Sequence, residues 1–301
     1  MAPESTLQRL SHELAEAVAT VGATTVSVRG RKRMPGSGFV WSEDGLVVTA
    51  NHVLERDHDI TVGLPSGDVC EATLIGRDSG TDTALLRISS PDVNAITRAV
   101  DSPEVGAIAL AVGRPGENGA MASMGVVTTV GGEWLTAQGA TVAGYLRTDA
   151  AMLPGFSGGP LVNAAGQLLG MNSSTLGRGG GLTIPHRAIT TIVESLIAHG
   201  HVRRGYLGIG TQAVELAEQQ VTAHQLPGRE ALVVVQVDAD GPAAEAGVLV
   251  GDVIVTADDQ QTTAIDVLQE HLRSDRIGAA LRLRLLRGGE PKVISVTIGG
   301  R

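Results

Sequence analysis

The spacing of hydrophobic positions changes along the chain. Residues 6–19 carry leucines and a valine at helical intervals, which predicts a short amphipathic helix. From residue 24 onward, short apolar runs alternate with turn residues, as in SGFVWSEDGLVVTANHVL, which predicts a hairpin. This pattern continues to GLTIP at 181–185 and favours an all-β sandwich or barrel. Helical spacing over His186–Gly200 then closes the first region.

A second region with a different pattern begins after a short polar connector at 201–205. It predicts a strand in YLGIG, a helix over AVELAEQQVTAHQL, strands in ALVVVQVD and DVIVTA, and a helix in AIDVLQEHLR. A hairpin over LRLRLLRGGEPKVISVTIG ends the chain. We therefore predict a first domain over 1–200, a linker over 201–205 and a mixed α/β domain over 206–301.

The composition is consistent with two domains and limits the possible classes of function. The chain has 301 residues, of which 43% are hydrophobic and 40 are glycine, so it can form more than one core with many tight turns. Its net charge is −9 and its one basic run is RGRKR at 29–33, which argues against nucleic-acid binding. The single cysteine, Cys70, rules out an internal disulfide framework.

The N-terminal stretch bears on the compartment. MAPESTLQRLSHELAEAV has early acidic residues and no long apolar run, so it predicts a cytoplasmic protein, or an extracytoplasmic one if a leader has been lost. Its HELAE segment lacks the second histidine of a zinc protease motif, and no nucleotide-binding loop occurs. The sequence therefore predicts no metal and no cofactor.

The stretch AAMLPGFSGGPLVN, residues 150–163, surrounds Ser157 with glycines. It could be an ordinary glycine-rich turn or a loop around a reactive hydroxyl. A serine attacks a carbonyl only when a base takes its proton and a carboxylate orients that base. His52 follows a strand in TANHVL, and Asp82 precedes one in TDTALLRI, whereas Asp78 is better placed to cap the turn.

The glycines around Ser157 could serve the backbone conformation that such a reaction needs. Backbone N–H groups of Gly155 and Ser157 could face one point and form an oxyanion hole. Gly158 and Gly159 could let substrate backbone approach, and Pro160 could begin the next strand. In the order His, Asp, Ser, these segments predict a catalytic triad. An α/β-hydrolase is excluded because its serine precedes its acid and its histidine.

Residues 6–301 resemble the HtrA/Deg family of serine endopeptidases. The similar stretches are GSGFVWSEDGLVVTANHVL, TDTALLRI, TDAAMLPGFSGGPLVN, GLTIP, RGYLGI and DGPAAEAGVLVGDVIVTADDQ. The resemblance implies a mainly β fold, with a chymotrypsin-like double β-barrel followed by a mixed α/β PDZ domain. It implies that His52 is the general base, Asp82 its orienting acid and Ser157 the nucleophile.

The resemblance also assigns binding sites. It places Ala151, six positions before Ser157, and Leu182 in the substrate pocket, where a small apolar floor would suit small or aliphatic side chains. In the PDZ domain it implies that Leu207, Gly208 and Ile209 hold a peptide's terminal carboxylate. Opposite them, the pocket wall would include one or more apolar residues of the following helix: Ile265, Leu268 and Leu272.

The expected function is ATP-independent cleavage of unfolded or misfolded protein, under regulation by PDZ binding of peptide C-termini. The resemblance implies a homo-oligomer, a trimer or a multiple of it. The alternative is a chaperone or scaffold that holds clients on a resting protease fold. Phe156 departs from the family pattern, which usually has a small polar residue before the serine. It could pack beneath the loop and hold the oxyanion hole preformed, or lock it in an inactive shape.

Overall fold

The computed structural model describes residues 5–32, 34–89, 93–116, 119–136, 140–177 and 181–300. Two compact units make up the chain, Met1–Val202 and Arg203–Arg301. The predicted linker at 201–205 spans this division, and its bounds stay a prediction.

Six antiparallel strands close the first barrel, in the order β1-β2-β3-β6-β5-β4. The β2–β3 hairpin turns at Gly45, whose φ of 84° suits the predicted SEDG turn. Branched and aromatic side chains from these strands fill the interior, with Phe39 and Leu85 fully buried. The strands are β1 Thr25–Arg29, β2 Gly36–Ser42, β3 Leu46–Ala50, β4 Ile60–Gly63, β5 Val69–Asp78 and β6 Thr83–Ile88.

A second closed barrel follows, in the order β11-β14-β13-β12-β7-β8. Along the chain, β9 and β10 lie between β8 and β11, and they pair with each other as a separate two-stranded ribbon. The predicted double-barrel fold is therefore confirmed. The strands are β7 Ile108–Gly113, β8 Met121–Gly131, β9 Trp134–Leu135, β10 Thr141–Val142, β11 Tyr145–Thr148, β12 Pro160–Asn163, β13 Leu168–Ser173 and β14 Leu182–Pro185.

Two helices flank the barrels. Helix α1, Thr6–Gly22, is longer than the predicted 6–19 and begins with a capping box formed by Ser5 and Gln8. Its far end is held to the barrels by Arg114, which donates to the carbonyls of Gly22 and Thr25 at 2.8 and 2.7 Å. Helix α2, His186–His199, ends at Gly200 with a left-handed φ of 74°.

The second unit has a six-stranded sheet in the order β16-β17-β18-β20-β21, with β19 paired to β18. A small pair, β15 with β22, joins the two ends of the unit. Its elements are β15 Gly205–Tyr206, β16 Ile209–Glu215, α3 Glu218–His224, β17 Glu230–Val237, α4 Pro242–Glu245, β18 Val253–Ala257, β19 Gln260–Gln261, α5 Ile265–Glu270, β20 Ala280–Arg287, β21 Glu290–Thr297 and β22 Gly299–Gly300.

One predicted helix was partly wrong. Residues 213–215 belong to strand β16, where Ala213 and Glu215 pair with Leu232 and Glu230, and only Glu218–His224 is helical. The segment AVELAEQQ has good helix formers, but pairing with β17 supplies ladder hydrogen bonds that outweigh this weak preference. Among the described residues, no helix is long and apolar enough to cross a bilayer.

Candidate active site

His52 is presented at the end of strand β3. The chain leaves Ala50 in a single 3-10 turn, Asn51–Val53, and the N–H of Asn51 donates to the carbonyl of Asp82 at 2.9 Å. The ring Nδ1 lies 2.7 Å from Asp82 Oδ2, while the side chain remains 23% exposed. An ionised carboxylate only accepts hydrogen bonds, so the proton belongs on Nδ1 and Nε2 is left as an acceptor.

Asp82 is buried at the start of strand β6, with 3% of its surface exposed. Its φ of 50° is a left-handed conformation that aspartate tolerates better than most residues. One carboxylate oxygen accepts the backbone N–H of His52 at 2.9 Å, and the other accepts the ring. Asp78, in contrast, accepts the N–H and hydroxyl of Thr81 at 2.9 and 2.6 Å within the preceding turn.

Three consecutive hydroxyl residues at the end of strand β13 contact both Asp82 and Ser157. Ser173 and Thr175 donate to Asp82 Oδ2 at 2.5 and 2.9 Å, and the Thr175 hydroxyl lies 3.4 Å from His52 Nδ1. Between them, the Ser174 hydroxyl lies 2.8 Å from the Ser157 hydroxyl. The segment Ser173–Thr175 therefore brings Asp82, His52 and Ser157 to one place.

The loop before Ser157 has the features of a type II turn. The N–H of Phe156 donates to the carbonyl of Leu153 at 3.0 Å, Pro154 occupies the second position, and Gly155 the third with a φ of 84°. Within the described residues, the N–H groups of Gly155 and Ser157 have no acceptor. Two donors are therefore available for an atom that the protein does not supply.

Ser37, on strand β2, fastens this loop to the first barrel. Its hydroxyl donates to the carbonyl of Gly155 at 2.7 Å and accepts the N–H of Arg114 at 2.8 Å. Its backbone N–H donates to the carbonyl of Ser157 at 3.0 Å. Since Ser37 is fully buried, these bonds fix the orientation of the loop's peptide groups.

Phe156 fastens the same loop to the second barrel. Its ring is fully buried among small and branched side chains of that barrel, including Ala109, Val127 and Leu161. Gly113 is required beneath it, since a Cβ there would lie 2.6 Å from the ring. Phe156 is therefore an anchor of the loop whose Gly155 and Ser157 N–H groups have no acceptor in the described part of the chain.

We expect Phe156→Ala to lower the free energy of unfolding of the first unit by about 3–5 kcal/mol, because it leaves a ring-sized cavity. Phe156→Leu keeps most of the apolar volume and should cost less than about 1.5 kcal/mol. Urea denaturation of both variants measures the difference. Equal stability of Phe156→Ala and the wild type would show that the ring is not an anchor.

The two glycines after the serine have a role that differs from the predicted one. A Cβ on Gly158 would lie 2.1 Å from the carbonyl oxygen of Ser37, and one on Gly159 would lie 2.3 Å from that of Val112. Both glycines are buried. The close backbone that requires them is the protein's own, at the junction of the two barrels, and not that of a substrate.

The predicted pocket residues lie in different surroundings. Ala151 is exposed, and its carbonyl accepts the hydroxyl of Ser123 at 2.6 Å. Leu182 is 3% exposed and belongs to the hydrophobic core. Met152, which the sequence did not single out, lies next to Gly181, where a Cβ would be 3.3 Å from its side chain. The specificity of this pocket stays a prediction.

In the second unit, the predicted carboxylate loop precedes an open sheet edge. Among the described strands, β16 pairs with β17 on one side and has no neighbour on the other. The N–H groups of Leu207 and Gly208 have no acceptor among the described residues, while their carbonyls accept Ala243 and Asp238 N–H groups at 2.8 Å. Gly208 has a φ of 77°, and a Cβ there would lie 3.0 Å from Gly241.

Helix α5 packs beside strand β16, as a groove wall requires. Its three predicted wall residues separate by burial. Leu268 is 3% exposed and belongs to the core of the unit, Leu272 packs partly against that core, and Ile265 is 50% exposed. Of the three, Ile265 is the one whose side chain is open to a bound peptide.

Sequence reasoning missed four hydroxyl residues at the site: Ser37, Ser173, Ser174 and Thr175. The signal available was weak. GSGF at 36–39 resembles any strand with small residues, and NSST at 172–175 resembles a polar turn. Their partners lie 17–118 positions away along the chain, so only the folded structure identifies them.

Known proteins agree with this architecture. Residues 36–171 match the family described as a trypsin-like peptidase domain, and residues 205–298 match the PDZ domain. The chain is therefore a serine endopeptidase of the trypsin-like class joined to one PDZ domain.

Individual relatives specify the family. The "Serine endoprotease DegS" of Escherichia coli (strain K12) is 33% identical over 278 residues, which cover 88% of this chain and 77% of that protein. The "Probable periplasmic serine endoprotease DegP-like" of Halomonas elongata is 32% identical, covering 89% of this chain and 57% of that protein. A crystal structure of the serine endoprotease from Yersinia pestis superposes with a TM-score of 0.74 at 30% identity, covering all of both chains. The HtrA-type protease AlgW with a decapeptide superposes at 0.73, with 30% identity over 96% of this chain and 98% of AlgW. The chain belongs to the HtrA/Deg family of serine endoproteases.

Proposed function

We propose that this endoprotease cleaves unfolded or misfolded polypeptides without ATP, and that His52, Asp82 and Ser157 form its catalytic triad. The observation that carries the proposal is the Ser173–Thr175 segment. It binds the Asp82 carboxylate and the Ser157 hydroxyl at once, while the same carboxylate holds both the ring and the backbone of His52.

The proposed chemistry follows from these contacts. His52 Nε2 takes the Ser157 proton as the hydroxyl oxygen attacks the substrate carbonyl. The N–H groups of Gly155 and Ser157 stabilise the oxyanion, a contribution of roughly 3 kcal/mol for one donor. The His52 imidazolium then protonates the leaving amine. Water, deprotonated by the same nitrogen, then attacks the acyl carbonyl, and His52 gives that proton to Ser157 Oγ as the bond to the acyl group breaks and the carboxylic acid product leaves.

We further propose that the second unit binds peptide C-termini. A peptide strand would add to the open edge of β16, with its terminal carboxylate on the N–H groups of Leu207, Gly208 and Ile209. The side chain of Ile265 would contact the peptide from helix α5. One structural relative, AlgW, is described with bound peptides of three and ten residues.

Gly208→Ala should weaken binding of a peptide with a free C-terminal carboxylate by about tenfold, because a Cβ strains the left-handed backbone that presents the loop. The control is Gly289→Ala in the turn between β20 and β21, where φ is also left-handed at 91° and no atom lies within 4 Å of the added Cβ. Fluorescence anisotropy measures both affinities. Equal affinities of the two variants, or equal binding of an amidated peptide, would contradict the assignment.

Three further parts of the proposal concern the substrate pocket, the oligomeric state and the cellular compartment. The exposed Ala151 would line a pocket for small or aliphatic side chains, whereas Leu182, being buried, would contribute only if substrate binding opens the core around it. The protein is a homo-oligomer, a trimer or a multiple of one, and helix α1 offers exposed Leu7 and Leu10 to such contacts. Relatives carrying "periplasmic" in their names support a periplasmic location. Cleavage-site mapping, light scattering and fractionation test these parts separately.

One experiment tests the central proposal. The wild-type protein is incubated with unfolded casein and with a folded control protein, with and without a fluorophosphonate, and the labelled residue is identified by mass spectrometry. We expect casein to be cleaved, the folded control to survive, and the label to lie on Ser157. Casein that is bound but not cleaved, with no label, would favour the chaperone alternative.

A further inference from the structure

The Ser157 hydroxyl is engaged in the structure by a residue outside the triad. Ser174 contacts it twice, through its own hydroxyl at 2.8 Å and through its backbone N–H at 3.3 Å. Among the described residues, Ser157 Oγ has no other hydrogen-bond partner, and none is recorded between it and His52. The hydroxyl that must give its proton to His52 is instead directed to Ser174.

The hydrogen-bonding capacity of a hydroxyl makes this arrangement consequential. Ser157 Oγ has one proton and two lone pairs. The Ser174 N–H occupies one lone pair. The Ser174 hydroxyl then either accepts the hydrogen bond of the Ser157 proton, which directs this proton away from His52, or donates to the second lone pair, which makes the oxygen a weaker nucleophile.

We propose that Ser174 is a positioning residue that holds Ser157 in a resting conformation, so that acylation requires this hydrogen bond to break. The inference rests on the proposed role of Ser157 as nucleophile. Ser174 is well placed for such a role because its neighbours Ser173 and Thr175 are fixed on Asp82, while its own side chain is exposed. The backbone at Ser174 is therefore held in place, while its hydroxyl can exchange Ser157 for water as a hydrogen-bond partner.

Ser174→Ala keeps the backbone N–H and removes the hydroxyl. We expect the rate of Ser157 labelling by a fluorophosphonate, and kcat on a fluorogenic peptide, to rise about fivefold, the equilibrium factor of one net hydrogen bond. KM should not change, since the effect acts on the nucleophile and not on substrate contacts. A general loosening of the site would change KM or lower kcat.

Two further variants make the test specific. Ser174→Thr keeps a hydroxyl at this exposed position, so its labelling rate should lie close to that of the wild type. Ser102→Ala removes an exposed hydroxyl outside the site and should leave the rate unchanged.

The outcomes separate this inference from the proposed function. If the wild type is labelled at Ser157 but Ser174→Ala labels no faster, or more slowly, then Ser174 does not restrain the nucleophile and only the inference fails. If the wild type is never labelled at Ser157, the proposed function fails and the inference fails with it. Faster labelling of Ser174→Ala, reversed in Ser174→Thr, supports both.

Discussion

Replacement of Ser157 by alanine should lower kcat on unfolded casein by about 10⁶-fold, because no other group at the site can form the acyl-enzyme. The folded state should be nearly unchanged. The hydroxyl of Ser157 contacts only Ser174, among the described residues, and Ser174 can bind water instead because it is exposed. Casein affinity should also persist, since the variant keeps the oxyanion N–H groups and the peptide-binding surfaces.

A second variant tests whether Ser157 and His52 act as one catalytic unit. His52→Ala should lose a similar factor, and the double variant Ser157→Ala/His52→Ala should lose no more than either single one, because residues that act as one unit are not additive. Additive losses would mean that the two side chains act independently. A 10⁶-fold loss leaves far less than one per cent of the wild-type kcat. A Ser157→Ala variant that keeps more than about one per cent would therefore mean that another residue is the nucleophile. Ser102→Ala serves as the matched serine control.

The strand-rich first unit and the order of His52, Asp82 and Ser157 could be predicted because they depend on local signals, whereas the double barrel itself was implied by the resemblance to the HtrA/Deg family. Strand patterns have period two, turns have characteristic residues, and each candidate lies at a strand end, where side chains leave the sheet. Asp82 could be preferred over Asp78 for the same reason. Asp78 is within reach of the N–H groups of its own turn, and it binds Gly80 and Thr81 there.

Contacts between distant segments could not be predicted in this way. The roles of Gly158 and Gly159 depend on the carbonyls of Ser37 and Val112, which approach them only because the two barrels pack together at this loop. The end of strand β16 depends on its register with β17, which local helix propensity cannot reveal. The anchoring role of Phe156 likewise depends on side chains from five strands and their connections.

Asp82→Asn should lower kcat by about 10⁴-fold while leaving the protein folded. Asparagine has the same shape and tolerates the left-handed φ of 50° at this position. The loss arises because the side-chain amide has one accepting oxygen where the carboxylate has two. One side of the group must therefore become a donor.

The neighbouring groups decide whether the amide nitrogen of the Asp82→Asn variant replaces Oδ1 or Oδ2. The backbone N–H of His52, 2.9 Å from Oδ1, can only donate, so it requires the amide oxygen there. The amide nitrogen then takes the place of Oδ2, where the hydroxyls of Ser173 and Thr175 can rotate to accept. It also faces His52 Nδ1, which must now accept. The ring proton moves to Nε2, and the base can no longer take the proton of Ser157.

The result is checked by kcat and by ¹⁵N NMR of the His52 ring, which distinguishes a proton on Nδ1 from one on Nε2. Asp78→Asn is the matched control. It also replaces a buried, hydrogen-bonded aspartate, so it should cost stability, but kcat should stay at the same order as in the wild type because the His52 tautomer is untouched. Similar losses of kcat in the two variants would mean that Asp82 acts through the stability of the β5–β6 turn. A loss confined to Asp82→Asn, with the proton on Nε2, would mean that the carboxylate acts by setting the tautomer of the base.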